Sequence, residues 1–247
     1  MTVCRQSIIL FSWLPVHVMR NNHRYFFWLA EIFNEQPGDY MVAKTSGSPE
    51  EDLYRDAELR IREAVSRIRA AETKGDLGIL LAKEVQSFSL FDLQIIGGKL
   101  NSEVERLPSP YREAIRPYFR EQLFGKHHEL IRKYRSGVFT GMNEPLRNKE
   151  LFHTFCDIIP ASCLSWEQMH DRNPNFHNPK NRLFYYLVSA FAMFVLDEPG
   201  HPVGMPFPGG YTVEKRGRNY YCLIRDKEKE VPTSICNFCP ALQKEDS

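Results

Sequence analysis

Apolar positions along the chain recur mostly at helical spacing. Ser48-Pro49-Glu50-Glu51 reads as a helix start. Ser48 can cap, Pro49 suits the first turn and Glu51 completes a capping box. Leu53, Ala57, Ile61, Ala64, Val65 and Ile68 then fall on one face, with arginines and glutamates opposite them. Gly75 reads as the end of this helix. Residues 77–85 and 90–107 form two more patterns of the same kind. Gly97-Gly98 interrupts the second, and such a pair is expected to mark a kink or a close packing contact. A further helix is predicted over 111–135, with Ser109 as cap and Pro110 in the first position; Pro117 should kink it or delay its start. Residues 146–159 read as a short helix stopped by Pro160. The histidine-bearing stretch 151–179 looks irregular beyond it.

Asn178-Pro179 then opens a segment of another character. Leu183 to Leu196 is apolar nearly all round, which means burial on several sides, yet it is too short to span a bilayer. It is read as a central core helix, about 180–197, with the others packed around it. After Asp197-Glu198 the pattern breaks. Residues 199–210 hold four prolines and four glycines, which are taken to exclude regular structure and to make a stiff, specific loop. Residues 211–215 and 219–224 alternate around Arg216-Gly217-Arg218 and read as a β-hairpin. The expected fold is therefore mainly α: a helical domain over 48–198 around the buried apolar helix, with a small C-terminal lobe over 199–247 carrying the Pro/Gly loop, the hairpin and cysteines.

Residues 1–40 do not fit this scheme. Residues 8–19 are apolar but interrupted by Pro15 and His17, and they are too short for a membrane span. No small-x-small cleavage site precedes the Arg20–Arg24 run, so a secretory signal is disfavoured. The segment is read as an appendage without a settled fold, arising from a start placed upstream of Met41. An amphipathic arm touching a membrane is the alternative. The remainder points to a soluble, cytoplasmic protein.

Composition narrows the function classes. The chain has 247 residues, 43% hydrophobic and 26% charged, enough for a real core without disulfides or metal for bulk. The net charge of +1 is far from that of a strongly basic nucleic-acid binder. The 111–135 segment is rich in Arg and Lys, but Glu113, Glu121 and Glu129 interleave with them, and nucleic acid is disfavoured as a partner. No P-loop, dinucleotide fingerprint, G-x-S-x-G elbow or H-E-x-x-H occurs.

Candidate chemistry concentrates near the C-terminus. Cys222 lies on the second hairpin strand, and Cys236 and Cys239 follow as C-x13-C-x2-C. A C-x2-C turn can place two thiolates on one ion while a hairpin supplies a third, as in half of a zinc ribbon. A tetrahedral site needs a fourth ligand. Cys163, placed just outside the preceding helix, is the first candidate; Cys156 reads as a core residue, and His201, His153 and His170 stand behind. Zinc and an iron–sulfur cluster are both open as cofactors, although the tight cluster spacings are absent. Redox chemistry and plain buried thiols are the alternatives. His201 could also act as an acid or base. Asp157, Glu167, Asp171, Asp197 and Glu198 could pair for acid–base work, and His170, Asp171, His177 and His201 could cluster near Trp166 and Arg172, but no distance follows from the sequence.

With these residues in view, the C-terminal third resembles an uncharacterised archaeal family found mainly in methanogens, domain of unknown function 2115. The resemblance rests on Asp197 to Gly210, on Tyr220-Tyr221-Cys222 and on Cys236-Asn237-Phe238-Cys239. It extends loosely back to about Glu51 as helical pattern only, and residues 1–40 are not covered. It implies an anaerobic cytosolic setting in which thiols stay reduced and zinc or iron–sulfur centres are at home. It implies no activity or substrate. Where the family is expected to carry proline after the first cysteine, this chain has Leu223, which bears on the local strand geometry.

Three function classes follow. The leading one is a metal-binding protein with Cys222, Cys236, Cys239 and Cys163 as ligands, and it requires converging sulfurs. The second is an enzyme with chemistry at the His201 loop, which requires a cleft lined by His201, Glu198 and Asp197. The third is a metal-free helical interaction protein with an exposed apolar patch. No catalytic residue, substrate, partner or oligomeric state is assigned.

Overall fold

The computed structural model describes residues 49–170 and 179–244. Residues 1–40, the Ser48 cap, Asp171, Arg172 and His177 fall outside them, as do the side chains of Trp166, Glu167 and His170.

The described chain is mainly helical. Helix α1, Pro49–Arg69, buries Ala57, Ile61, Ala64, Val65 and Ile68, the stripe its periodicity predicts. It ends at Arg69, short of Gly75. A new helix, α2 (Lys74–Gln86), starts because Thr73 and Asp76 form a reciprocal capping box. Gly75 lies in its first turn, where a Cβ would come 2.3 Å from the Phe139 carbonyl oxygen and 2.5 Å from that of Met142. The glycine is there for close approach, not for termination. Helix α3 (Leu90–Glu105) is capped in the same reciprocal way by Ser89 and Asp92. It runs through Gly97-Gly98, and Gly97 packs toward the Phe124 ring.

Helix α4 (Tyr111–Arg120) begins one residue later than expected, with Pro110 at the cap position and no side-chain cap. Pro117 sits inside it. Its missing N–H leaves the Glu113 carbonyl without its helical donor. The chain passes through a π-helical turn, Glu121–Gly125, into α5 (Lys126–Arg135). Gly137, with φ of +73°, leads into a 3-10 turn, Val138–Gly141.

Helix α6 (Lys149–His170) departs most from expectation. Pro160 does not stop it, and the region after Pro160 is helical. One lost backbone hydrogen bond is outweighed by packing, because Phe152, Phe155, Cys156, Ile159 and Cys163 are all fully buried. Cys163 therefore lies within a helix, not beyond one.

Helix α7 (Lys180–Ala190) and the π turn after it (Phe191–Val195) form the predicted core element. Every residue from Arg182 to Val195 is buried. Helices α1, α2, α3, α5 and α6 all touch α7. On one side Phe184 meets Phe88 at 5.1 Å and His127 at 5.2 Å between ring centroids. On the other, Phe155 of α6 lies 5.9 Å from Tyr186 and 5.3 Å from Phe194.

Two small sheets follow. The Pro/Gly segment is not devoid of regular structure: β1 (Pro206–Phe207) pairs antiparallel with β2 (Tyr211–Thr212), Phe207 opposite Tyr211. Gly209 and Gly210, at φ of +92° and +82°, make the turn between them. The expected hairpin is present but shorter, with β3 (Glu214–Arg216) and β4 (Asn219–Cys222) joined through Gly217 at φ of +60°. Strand β5 (Leu242–Gln243) closes the second sheet parallel to β4, with Cys222 opposite Gln243. Between β4 and β5 lie two 3-10 turns, Arg225–Glu228 and Ile235–Phe238. One apolar core takes in both the helices and the lobe residues Cys222, Ile224 and Phe238. Among the described residues no helix is long and apolar enough to cross a membrane.

Candidate functional site

The site begins where α7 ends. Its π turn delivers Asp197, a non-glycine residue at φ of +54°, and then Glu198, whose N–H donates to the Ala192 carbonyl. Each carboxylate meets a lysine from a different helix. Lys74 of α2 bonds Asp197 at 2.8 Å and also Glu144 at 2.8 Å; Lys126 of α5 bonds Glu198 at 2.5 Å and also Glu129 at 2.9 Å. For both lysines burial works against the charge, but the carboxylate hydrogen bonds outweigh it and raise the pKa. The acidic pair is thus bound into ion pairs.

Pro199 and Gly200 then carry the chain onto the lobe. A Cβ on Gly200 would stand 2.6 Å from Cδ1 of Ile235, so the strap presses directly on the turn that bears Cys236. His201 follows and is 4% exposed. Its ring stands edge-on to Phe207, centroids 5.6 Å apart, and its Nε2 has no hydrogen-bond partner. Burial pushes its pKa down to about 4, so the imidazole is neutral near pH 7. Further along, the Gly204 N–H donates to the Val213 carbonyl at 2.7 Å, and Tyr111 of α4 donates to the Pro206 carbonyl at 3.2 Å. The strap is therefore fixed at both ends. A cleft lined by His201, Glu198 and Asp197, required by the enzyme reading, is not what these residues form: His201 is enclosed and both carboxylates are tied to lysines.

The cysteines of the lobe come from three places. Cys222 ends β4, Cys236 sits in the turn Ile235–Phe238, and Cys239 follows that turn with its N–H on the Cys236 carbonyl at 3.2 Å. Ser234 shapes the turn by accepting from the Cys236 N–H at 3.3 Å. All three thiols are buried and reduced. Burial raises each pKa, Cys222 to about 11, and proximity adds to this: Cys222 and Cys236 both feel Cys239, and Cys236 also feels Cys222 and Glu228. Backbone amides oppose the shift. Those of Ile224 and Arg225 donate toward the Cys222 sulfur, and those of Ala241 and Gly200 toward the Cys239 sulfur. Between Cys236 and Cys239, Phe238 inserts its ring against Phe155 of α6, centroids 5.3 Å apart. Tyr186 of α7 adds a hydrogen bond to the Thr233 carbonyl at 3.0 Å.

Cys163 sits fully buried on α6. It lies two helical turns beyond Phe155, roughly 12 Å along the axis at 1.5 Å per residue. Cys156 is a core residue, as expected, and burial raises its pKa to about 12. Among the described residues no group of three or more His, Cys, Asp or Glu side chains is arranged as a metal-ligand set. The four sulfurs named from the sequence thus do not form a ready-made site. Cys222, Cys236 and Cys239 share the lobe as three buried thiols, the donor type a thiophilic ion would take.

Asp157 pairs with Arg69 of α1, whose guanidinium also donates to the His153 carbonyl. Some basic residues of α4 and α5 pair with acids: Arg112 with Glu113, Arg116 with Glu105, and Lys133 with Glu129.

A family model described as an uncharacterised protein conserved in archaea, DUF2115, matches residues 73–244. The chain belongs to this family. The match starts at the Thr73 cap of α2 and takes in the whole strap and lobe, so the DUF2115 likeness covers far more than the C-terminal third. A UPF0305 protein of Methanothermobacter thermautotrophicus is 25% identical over 171 residues, covering 68% of this chain and 94% of that one. One from Methanocaldococcus jannaschii is 26% identical over 164 residues, 64% and 89% of the two chains. Another, from Methanopyrus kandleri, is 38% identical over 71 residues, 29% of this chain and 50% of that one. No solved structure matches.

Sequence reasoning missed the two lysines that hold Asp197 and Glu198, and the contact of Gly200 with the cysteine turn. Lys74 and Lys126 lie 123 and 72 residues from their partners. No local pattern reports such pairs. The glycine in Pro199-Gly200-His201 was the available signal for close backbone approach.

Proposed function

We propose that this protein binds one thiophilic metal centre in its C-terminal lobe, zinc or an iron–sulfur cluster, through Cys222, Cys236 and Cys239. The observation that carries the reading is that three buried free thiols, one ending β4 and two from the turn Ile235–Phe238 and its end, share one small lobe. Redox exchange is disfavoured, because a reactive cysteine has a lowered pKa and exposure, and these three have neither. The bound ion would supply the positive charge that turns the three thiols into thiolates within the lobe. Cys163, named from the sequence as the fourth ligand, lies on α6.

The test is metal and acid-labile sulfide content of protein purified anaerobically, beside a Cys236→Ser, Cys239→Ser variant. About one zinc per chain, lost in the variant, supports a mononuclear site. Iron with matching sulfide supports a cluster. No metal in either protein, with both folded, overturns the reading.

A further inference from the structure

We infer that one face of α5 is a binding site for a small phosphate-bearing organic molecule, independent of the metal reading of the lobe. A cavity of about 580 Å3 opens along this face, lined by His127, His128, Ile131, Arg132, Arg135 and Ser136. Small-molecule sites commonly hold roughly 300–1,000 Å3. The six residues fall on two neighbouring rows, 127-131-135 and 128-132-136. Their four-residue spacing brings side chains of a helix together.

Charge on this face is uncompensated. The acid of the helix, Glu129, is engaged by Lys126 at 2.9 Å and Lys133 at 3.6 Å, on another row. Among the described residues Arg132 and Arg135, both exposed, have no acidic partner. Exposed arginines without acids are not unusual by themselves, and Arg218 of the hairpin turn is another. What sets these two apart is the cavity they share with two imidazoles and an apolar floor. Ile131 packs on the core. The His127 ring stands 5.2 Å from that of Phe184 and 5.6 Å from that of His128. Nδ1 of His127 is enclosed without a partner, so Nε2 is the nitrogen this ring offers to the cavity. Basic residues in a last turn also complement the carbonyl end of a helix. That accounts for the arginines, but not for the cavity or for two histidines in the first turn.

The ligand class follows from these groups. Each guanidinium is a planar fork that fits phosphate oxygens, and two fixed positive charges match a phosphate dianion better than a single carboxylate. Nε2–H of a neutral His127 can donate to a further oxygen. Ile131 and the His127 ring give an apolar body a surface to lie on.

The experiment titrates the full chain with phenyl phosphate, inorganic phosphate and a single-stranded oligonucleotide, following the histidine ring signals by NMR. Phenyl phosphate is expected to bind more tightly than inorganic phosphate and to shift His127 and His128 while His153 of α6 stays. Arg132→Gln and Arg135→Gln should each weaken it by about tenfold or more, the scale of a lost charge-assisted hydrogen bond. Arg218→Gln, an equal change of charge on an exposed turn, should leave it unchanged. Equal weakening by all three variants would mean attraction to net charge alone and would overturn the site. Equal affinity for inorganic phosphate would remove the organic body from the inference and overturn it in this form. Tighter binding of the oligonucleotide through the same arginines would assign the face to nucleic acid instead. No binding of phenyl phosphate by the wild type at millimolar concentration would overturn the inference without any variant.

Discussion

Gly75 and Gly98 both occupy helices, and their surroundings predict opposite responses to the same substitution. Alanine normally improves a helix interior by about 1 kcal/mol over glycine. At Gly98 a Cβ meets nothing within 4 Å, so Gly98→Ala should raise stability by about 0.5–1 kcal/mol. At Gly75 the Cβ would run into the Phe139 and Met142 carbonyl oxygens, which are backbone and cannot rotate aside. Gly75→Ala should therefore destabilise. Urea midpoints of the two variants beside wild type would check this, and a stabilised Gly75→Ala would mean the turn after α5 is not held where it is seen. The same residue shows why local punctuation misleads. Read along the chain, Gly75 looks like a stop; in three dimensions it is a slot for another segment's carbonyls. Pro160 is the converse case. It resembles a terminator, but α6 is clamped between α1 and α7, and that packing outweighs one missing N–H.

The two π turns belong to the scale of elements. Each wide turn resets the direction of the side chains that follow it. Glu121–Gly125 precedes Lys126, Phe191–Val195 precedes Asp197 and Glu198, and the pair Lys126–Glu198 joins the two helices just past these turns. Because Lys126 also bonds Glu129, a double-mutant cycle of Lys126→Met and Glu198→Gln is needed to isolate the pair. The expected coupling is about 0.5–1 kcal/mol, since Glu198 is 37% exposed, and it should shrink in high salt. Its pH dependence has a defined sign. The native lysine pKa lies above its ordinary 10.5, so the contribution is complete below that value and is lost as pH rises through the native one. A coupling indistinguishable from zero at low salt would show that the contact holds nothing. None of this was legible along the chain, because helical periodicity of 3.6 contains no sign of where a π turn falls. The apolar run 183–196 was legible for the opposite reason. A segment with no polar face has only one place to go.

For the whole molecule, the joint between lobe and helices decides whether the chain behaves as one unit. Phe238 is the wedge in that joint, its ring against Phe155 and its neighbours the two cysteines of the C-x2-C turn. Phe238→Ala should lower global stability by about 3–5 kcal/mol, read by chemical denaturation, and should expose residues 223–241 to limited proteolysis. Loss of the lobe's protection with no change in the main transition would instead show two separately cooperating units. The spacing C-x13-C-x2-C drew attention to the thiols, but it said nothing of Phe238 between the last two, whose ring packs on Phe155. No spacing rule could reveal that His201 is enclosed, because its neighbour Phe207 is brought there by the strap. Helix α7 has a further consequence for how the chain is made. Apolar on every side, it would be a hazard if it left the ribosome before its partners. Synthesis runs from the N-terminus, and domains gather as their parts emerge. The five helices that touch α7 all precede it in the chain, so its helical partners are already synthesised when it emerges and can cover most of it, while lobe contacts such as Tyr186 with Thr233 follow later.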